Sequence, residues 1–192
     1  MTPVKNNTPE PNAANITLWV RENFLGEYSI EIAEGNEIII RGSCTLANSN
    51  IEELPYKFKA IYGNFFIGGH SMDNAGLPNS YKLKSLKNCP DLVTGNFHCQ
   101  LCPDLKSLKE GPVKVGGTYK CSHCDLRNLE GVATEIGKYL IAYCNPKLDD
   151  ISELRKCKFL KADFEYCADS LYETDDYFDM CVEDKILYPV PD

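Results

Sequence analysis

The chain has 192 residues, 43% of them hydrophobic and 25% charged, which is the composition of an ordinary globular protein with one domain and excludes collagen-like and disordered chains. It contains no apolar run of the roughly 18 residues that would cross a bilayer, and its first residues lack the apolar core of a secretory signal, so we expect a cytoplasmic protein without a membrane anchor. The formal net charge is −8, and residues 163–192 hold ten of the 28 acidic residues against one of the 20 basic ones, which excludes a phosphate-binding surface there.

Residues 1–14 are expected to form a flexible tail, and residues 15–42 an N-terminal cap. Asn15 is a suitable N-cap for a short helix from Ile16 to Phe24. Alternating apolar residues on both sides of a Glu34-Gly35-Asn36 turn then predict a β-hairpin. A solenoid needs such a cap because its first coil would otherwise expose its core to water.

Residues 43–168 repeat a short phrase six times, most clearly from Gly95, Gly117 and Gly137. Repetition at a period of about 20–29 residues is typical of leucine-rich-repeat solenoids. One column of the alignment matches the Asn/Cys place of that repeat, with steps of 21, 32, 22, 20 and 23 residues, and the long step contains an insertion near residues 73–82. This rung column is predicted to consist of Ser49, His70, Cys102, Cys124, Cys144 and Cys167.

Two further columns, five and three residues before the rung column, have strand spacing and are expected to point into the core. The first contains Cys44, Phe65, Phe97, Tyr119, Tyr139 and Ala162. The second contains Leu46, Ile67, Cys99, Cys121, Ile141 and Phe164. Pro and Gly in the return segments disfavour helices there. We therefore predict a solenoid of leucine-rich-repeat type with six coils, one parallel strand per coil and a mostly non-helical convex side, followed by an acidic C-terminal segment, residues 169–192.

The units from Leu86 to Cys99 and from Leu108 to Cys121 share the pattern Leu-x-x-Gly/Cys-Pro-x-x-Val-x-Gly-x-Phe/Tyr-x-Cys. This pattern resembles the repeats of uncharacterised leucine-rich-repeat-like proteins encoded by tailed bacteriophages. Residues 19–28 and 53–58 also resemble the opening of those proteins. The resemblance covers about residues 15–167 and implies the solenoid fold and a phage origin, but no particular activity.

Cys99-x-x-Cys102 and Cys121-x-x-Cys124 have the spacing of a zinc site with four cysteine ligands. The repeat offers another explanation, since the 22-residue offset between the pairs is the repeat period. Two residues three apart on one strand are separated by about 7–10 Å, whereas zinc needs each sulfur at about 2.3 Å. We therefore expect buried free thiols and no cofactor, with a zinc-binding, nucleic-acid-interacting protein as the alternative.

No catalytic residue is predicted, and we expect that the protein is not an enzyme. His98 and His123 each adjoin a cysteine, but neighbours on a strand point to opposite faces, so neither forms a thiolate–imidazolium pair. His70 lies in the rung column, where a hydrogen-bonded core histidine is the simplest interpretation.

Strand residues that alternate with the core columns should face outward and form the binding surface of a solenoid. The expected protein-binding residues are Phe66, His98, Gln100, Lys120, Ser122, Leu140, Asp163 and Glu165. Acidic residues of the C-terminal segment, which is also rich in aromatic residues, would extend this surface toward a basic partner; they are Asp175, Asp176 and Asp179. The alternatives are a solvated sheet face and a solvated terminal segment in which Ser170 opens a short helix.

The resulting hypothesis is a non-enzymatic protein-binding solenoid, encoded by a phage, that binds a host protein in the host cytoplasm. The partner would be a nucleic-acid-binding host defence complex, inhibited when the acidic surface occupies its basic site. A structural or assembly adaptor of the virion is the alternative. We expect no direct binding to nucleic acid or membrane.

Overall fold

The protein, described here from a computed structural model, is a parallel β-solenoid of about five turns with one N-terminal helix. The structure describes residues 12–69, 80–165, 167–175 and 186–188. The six sequence repeats each supply one strand of the longer of two sheets. The repeat period and the parallel stacking of the repeats are therefore confirmed.

The helix α1 covers Ala13–Asn23, so it begins three residues before the predicted start and within the predicted tail. Its N-cap is Asn12 rather than Asn15: the Asn12 side chain accepts a hydrogen bond of 2.9 Å from the Asn15 backbone N–H. Ile16 and Val20 are fully buried one turn apart, and the helix ends where Phe24 turns into extended backbone. The apolar face of the helix was predicted correctly, whereas its first turn, which is exposed, was missed.

Fourteen strands are described. In chain order they are β1 (Phe24–Leu25), β2 (Tyr28–Ile32), β3 (Ile38–Gly42), β4 (Cys44–Leu46), β5 (Phe58–Tyr62), β6 (Phe65–Phe66), β7 (Leu92–Val93), β8 (Phe97–His98), β9 (Lys114–Val115), β10 (Tyr119–Lys120), β11 (Glu135–Ile136), β12 (Tyr139–Ile141), β13 (Lys161–Asp163) and β14 (Ile186–Tyr188). Short 3-10 helices occupy Glu34–Asn36, Ser152–Lys156 and Asp169–Glu173.

The strands form two sheets that enclose one apolar core. The eight-stranded sheet has the order β1-β4-β6-β8-β10-β12-β13-β14, and the six-stranded sheet has the order β11-β9-β7-β5-β3-β2. Every pairing is parallel except β1 with β4 and β2 with β3, which are antiparallel. Side chains from both sheets meet in a single buried cluster. Five coils, from β3 and β4 to β11 and β12, contribute one strand to each sheet, so the prediction of one strand per coil missed the second strand.

The two predicted core columns are confirmed in five of the six repeats, where each member is at most 1% exposed. The exception is the repeat at Gly137. Here β12 aligns Leu140, not Tyr139, with Tyr119, and Leu140 is fully buried whereas Tyr139 is 38% exposed. The predicted alignment of this repeat was wrong by one residue.

The rung column moves with this correction. Cys144 was predicted as a rung, but its φ of 55° matches His123 and Leu101, the residues just before the rungs Cys124 and Cys102. Asn145, which is fully buried, is therefore the rung of this coil. A signal was present in the sequence, because residues 145–148 (Asn-Pro-Lys-Leu) repeat the pattern of residues 102–105 (Cys-Pro-Asp-Leu).

A second set of side-chain hydrogen bonds links the coils at the start of each strand of the eight-stranded sheet. Ser43 Oγ accepts from the Asn64 N–H at 3.0 Å, and Asn64 Oδ1 accepts from the Asn96 N–H at 2.8 Å. Asn96 Oδ1 in turn accepts from the Thr118 N–H at 2.8 Å. These bonds hold four consecutive coils in register at this corner.

Tyr119 is the one described residue whose buried side chain has a polar atom without a hydrogen-bond partner. Its equivalents in the two preceding coils are Phe97 and Phe65, both fully buried. We expect Tyr119→Phe to raise the free energy of unfolding by about 1 kcal/mol, because it removes a hydroxyl that was desolvated without a partner. The check is urea denaturation of both proteins.

The matched control is Phe97→Tyr, which adds a buried hydroxyl in the same column and should lower stability. A loss of stability in Tyr119→Phe comparable to that in Phe97→Tyr would show that the Tyr119 hydroxyl has a partner.

Candidate interaction face

The outward side chains of the eight-stranded sheet form the candidate site, because one residue of each coil is held directly beside its equivalent in the next. We call this surface the eight-stranded face. Strand pairing places one residue from each of the six repeats in one row across it: Thr45, Phe66, His98, Lys120, Ile141 and Asp163. The register continues to Leu25 of β1 at one end and to Tyr188 of β14 at the other. All six are half-buried, as expected for side chains that stand on a sheet and are covered only by their neighbours.

Five of the predicted binding residues are placed on this face. Phe66, His98, Lys120 and Asp163 lie in the row, and Glu165 is exposed just beyond it. The Phe66 and His98 rings are stacked, with centroids 4.5 Å apart and planes at 27°. The Asp163 carboxylate accepts a hydrogen bond of 3.1 Å from the Glu165 N–H, which fixes the turn that carries both acids.

Three predicted binding residues are instead buried, so the prediction that they face outward was wrong. Leu140 is fully buried in the core because it, and not Tyr139, is the strand partner of the buried Tyr119. Gln100 is 4% exposed and donates a hydrogen bond of 2.9 Å to the Gly69 carbonyl of the preceding coil. Ser122 is fully buried, and its hydroxyl donates to the Ile141 carbonyl at 3.3 Å. Both polar residues lie where the chain leaves the strand, and there they satisfy backbone groups between coils.

Of the three predicted acidic residues in the C-terminal segment, Asp175 is exposed. Asp176 and Asp179 lie outside the described residues, as does His70 of the predicted rung column. The predicted short helix in this segment corresponds to the 3-10 helix Asp169–Glu173, which buries Leu171. Exposed acids at Asp169 and Glu173 continue the acidic surface from Glu165 to Asp175.

The prediction missed two tyrosines on the face. The Lys120 ammonium lies 5.3 Å from the centroid of the Tyr143 ring, and the Lys161 ammonium lies 4.8 Å from that of Tyr139. His123 meets the Tyr143 ring edge-on, with centroids 5.2 Å apart. With the correct alignment, the sequence would have placed Tyr139 and Tyr143 outward, since they alternate with Leu140 and Ala142.

The charges on the face change sign along the solenoid. The cations Lys120 and Lys161 lie against aromatic rings, and the attraction between an ammonium group and a ring orients both side chains. Acidic side chains follow at the C-terminal side, beginning with Asp163 and Glu165. The face therefore presents aromatic rings in fixed orientations, two lysines and then an acidic end.

The thiols of the rung cysteines donate hydrogen bonds to backbone carbonyls. The Cys124 thiol donates to the Cys99 carbonyl at 3.4 Å, and the Cys167 thiol donates to the Ala142 carbonyl at 3.4 Å. Each of these carbonyls lies just after the strand of the preceding coil, whereas the Cys102 thiol donates to the Gln100 carbonyl of its own coil. Asn145 makes the same kind of contact more strongly, because its Nδ2 donates to the Cys121 carbonyl at 3.0 Å and to the Ala142 carbonyl at 2.7 Å.

Burial keeps these thiols protonated. It raises the pKa of Cys124 and of Cys167 to about 12, and in Cys124 a hydrogen bond from the Cys102 backbone opposes the increase in part. Burial also raises the pKa of Cys99 and Cys121 well above the usual value. The thiolate is the form that attacks substrates and binds metals, so these side chains are unreactive at neutral pH. Within the described ranges, no three His, Cys, Asp or Glu side chains are grouped so that they could hold a metal ion.

Cys144 differs from the other described cysteines because it is half-exposed, and the rest are buried. Its pKa is raised by partial burial and by the nearby carboxylates of Glu165 and Asp163. All nine described cysteines are free thiols.

A shallow groove of about 530 Å³ lies on the opposite side of the solenoid, where the return segments of three coils meet. Asn88, Glu110 and Gly131 line it at equivalent positions, all with positive φ. The Lys57 ammonium at its edge is engaged by the Cys89 carbonyl at 2.7 Å and by the Asp91 carboxylate at 2.8 Å. The groove is thus formed by turns whose polar groups stabilise the fold.

The chain matches no protein-family model, no curated protein and no solved structure. Among the residues that the structure describes, no helix combines the length and the apolar character needed to cross a membrane.

Thiol reactivity tests the burial of the cysteines. Cys181 lies outside the described residues, so the measurement starts from Cys181→Ser and uses an aromatic disulfide reagent on the folded protein at pH 8. We expect one rapidly reacting thiol per chain, Cys144, whose rate increases with pH because its raised pKa leaves a small thiolate fraction.

Adding Cys144→Ser should remove the rapid phase and leave only the slow reaction that follows unfolding. Two or more rapidly reacting thiols in the Cys181→Ser protein would contradict the burial described here.

Proposed function

We propose that the chain is a non-enzymatic, protein-binding solenoid of leucine-rich-repeat type, encoded by a tailed phage, that binds a host protein through the eight-stranded face. The repeat type is supported by buried leucines at the same place in successive coils and by rung side chains that donate hydrogen bonds to the preceding coil. The leucines are Leu86, Leu108, Leu129 and Leu154. In this proposal α1 and the β2–β3 hairpin cap the first coil.

The observation that carries the proposal is the arrangement of aromatic and cationic side chains on one face. Three contacts join neighbouring coils: the Phe66–His98 stack, the Lys120–Tyr143 pair and the Lys161–Tyr139 pair. Aromatic side chains are enriched among the residues that dominate protein–protein binding energy. Rings that are already oriented lose little conformational freedom on binding, so more of the contact energy becomes affinity.

The acidic end of the face supports a partner with a basic surface. Glu165, Asp169, Glu173 and Asp175 are exposed in the segment that follows β13. Complementary charge speeds association and selects the partner. A nucleic-acid-binding site of a host defence complex has the required basic charge, and occupation of that site by this surface would inhibit the complex.

The contacts of the cysteine and histidine side chains support a binding role over a catalytic one. The buried thiols are protonated and the rung thiols bond to backbone carbonyls, while His98 and His123 are packed against aromatic rings. The proposal therefore assigns no catalytic residue and no cofactor, and it places the protein in the host cytoplasm.

The test is capture of host proteins by the immobilised full-length chain, compared between two variants of equal charge change. Phe66→Ala/Lys120→Ala/Lys161→Ala alters the eight-stranded face. Tyr62→Ala/Lys59→Ala/Lys114→Ala instead removes an exposed aromatic residue and two lysines of the six-stranded sheet; these lysines pair with Glu37 and Glu135. We expect the first variant to lose at least tenfold more affinity for the captured protein than the second, since truncation of a central contact costs about 1–2 kcal/mol.

Charge reversal of Asp175, Asp176 and Asp179 to Lys separates the two parts of the proposal. Weaker capture that also loses its salt dependence supports a basic partner. A captured protein whose binding is changed neither by Phe66→Ala/Lys120→Ala/Lys161→Ala nor by the charge reversal would contradict binding through this face. Detection of the chain in purified virions would favour an adaptor of the particle.

A further inference from the structure

The strand β2 ends the six-stranded sheet, and no other described strand pairs with its outer edge. Its inner edge pairs with β3 in the register Ser29↔Arg41, Ile30↔Ile40 and Glu31↔Ile39. A strand at the end of a sheet presents backbone N–H and C=O groups to which another chain can bond. The question is which groups β2 presents.

The hydrogen bonds around the hairpin answer it. The Ala33 N–H donates to the Glu37 carbonyl at 2.8 Å, and bonded pairs alternate along an antiparallel ladder, so Glu31 and Ser29 are the residues of β2 that bond to β3. The bond from the Ile38 N–H to the Lys57 carbonyl agrees, since it directs Ile38 toward β5. The backbone N–H and C=O groups of Tyr28, Ile30 and Ile32 therefore point away from β3, toward the outer edge of the sheet.

The sequence of β2, Tyr-Ser-Ile-Glu-Ile, lacks the features that usually block edge pairing: it has no proline, no lysine and no bulge. Its apolar side chains are also incompletely covered. Ile30 and Ile32 are half-buried, whereas their partners Ile40 and Ile38 on β3 are fully buried. Another strand beside β2 would cover the remaining apolar surface of Ile30 and Ile32.

We propose that β2 pairs antiparallel with β2 of a second copy of the chain, about a two-fold axis at Ile30, and joins two six-stranded sheets into one. Ile30 would face its own equivalent as a bonded pair, and Tyr28 would face Ile32 of the other copy. The backbone N–H and C=O groups of residues 28, 30 and 32 point toward the other copy. This register therefore forms six backbone hydrogen bonds across the axis. An isologous contact of this kind closes after two copies.

Charge complementarity favours a second copy as the occupant. In this register Ser29 of one copy lies opposite Glu31 of the other, and Arg41 flanks Ser29 on β3. Arg41 already contacts Glu31 of its own chain at 3.2 Å. In the dimer the two arginines and two glutamates alternate around the axis, with only the small Ser29 between Arg41 and the other copy's Glu31.

The size of the contact sets its strength. A five-residue strand pair buries less than the roughly 1,000 Å² of a stable interface, so we expect a weak dimer with a Kd of about 10–100 μM. Sedimentation velocity of the full-length chain should therefore show a monomer at about 1 μM and a dimer at several hundred μM.

The discriminating variant is Ser29→Glu, which leaves the β2–β3 hydrogen bonds intact and places a second carboxylate beside Arg41. In the dimer this carboxylate would lie directly opposite Glu31 of the other copy, where like charges repel. We expect at least fivefold weaker dimerisation, whereas the matched control Ser29→Thr, which is uncharged and favours strands, should dimerise as the wild type does.

Proximity is tested by a pyrene label on Ser29→Cys in a Cys144→Ser/Cys181→Ser background. Excimer emission should rise with protein concentration, because two residues at position 29 lie about 8 Å apart in the proposed register. The same label on Lys114→Cys, four strands from the edge, should give none. A chain that stays monomeric at several hundred μM, a dimer unaffected by Ser29→Glu, or a dimer without excimer emission would each overturn the proposal.

Discussion

The fold depends on one contact that recurs in three of the described coils: the rung side chain donates a hydrogen bond to a carbonyl that lies just after the strand of the preceding coil. Cys124 does so to Cys99, and Cys167 to Ala142. These carbonyls are buried where the chain leaves the strand, so without a partner each would destabilise the fold by about 1–3 kcal/mol. A rung that meets this requirement fixes the position of one coil on the next, and the core columns on both sheets follow from it.

The eight-stranded face inherits its order from this stacking. Strand residues of successive coils stand side by side because the rungs on one corner and the Ser43–Asn64–Asn96 hydrogen bonds on the other hold the backbone from both ends. The Phe66–His98 stack and the two Lys–Tyr pairs are contacts between neighbouring coils. A binding surface built in this way needs no long loop, since its shape follows from the register.

Much of this architecture could be predicted from the sequence, because buried positions repeat with the period of the coil. Phe65, Phe97 and Tyr119 mark the same wall of the core, and the parallel stacking follows from them. The register at Leu140 was predicted wrongly because Gly137 was aligned with Gly117. In the structure Gly137 is instead equivalent to Gly116: the Gly137 N–H donates to the Val115 carbonyl, and the Gly116 N–H donates to the Val93 carbonyl. The chemistry of the rung allows both Cys and Asn, so composition alone did not reveal the shift.

The candidate face was less predictable than the core. Strict alternation placed Gln100 and Ser122 outward, but alternation holds only while the backbone stays extended, and the chain turns just after both residues. Tyr143 was missed through the same shift that misplaced Leu140. The C-terminal acids were visible in the composition. The outer edge of β2, with which no other described strand pairs, was not, because an edge is a property of the assembled sheet.

The most direct test of the rung account compares Asn145→Ala with Cys144→Ala by urea denaturation. Asn145 donates to two buried carbonyls and accepts from the Leu126 N–H at 3.4 Å, so its truncation should lower the free energy of unfolding by about 2–4 kcal/mol. Cys144 is half-exposed, and its truncation should change that energy by less than about 0.5 kcal/mol. The reverse order, with Cys144→Ala the more destabilising, would contradict the register on which the account rests.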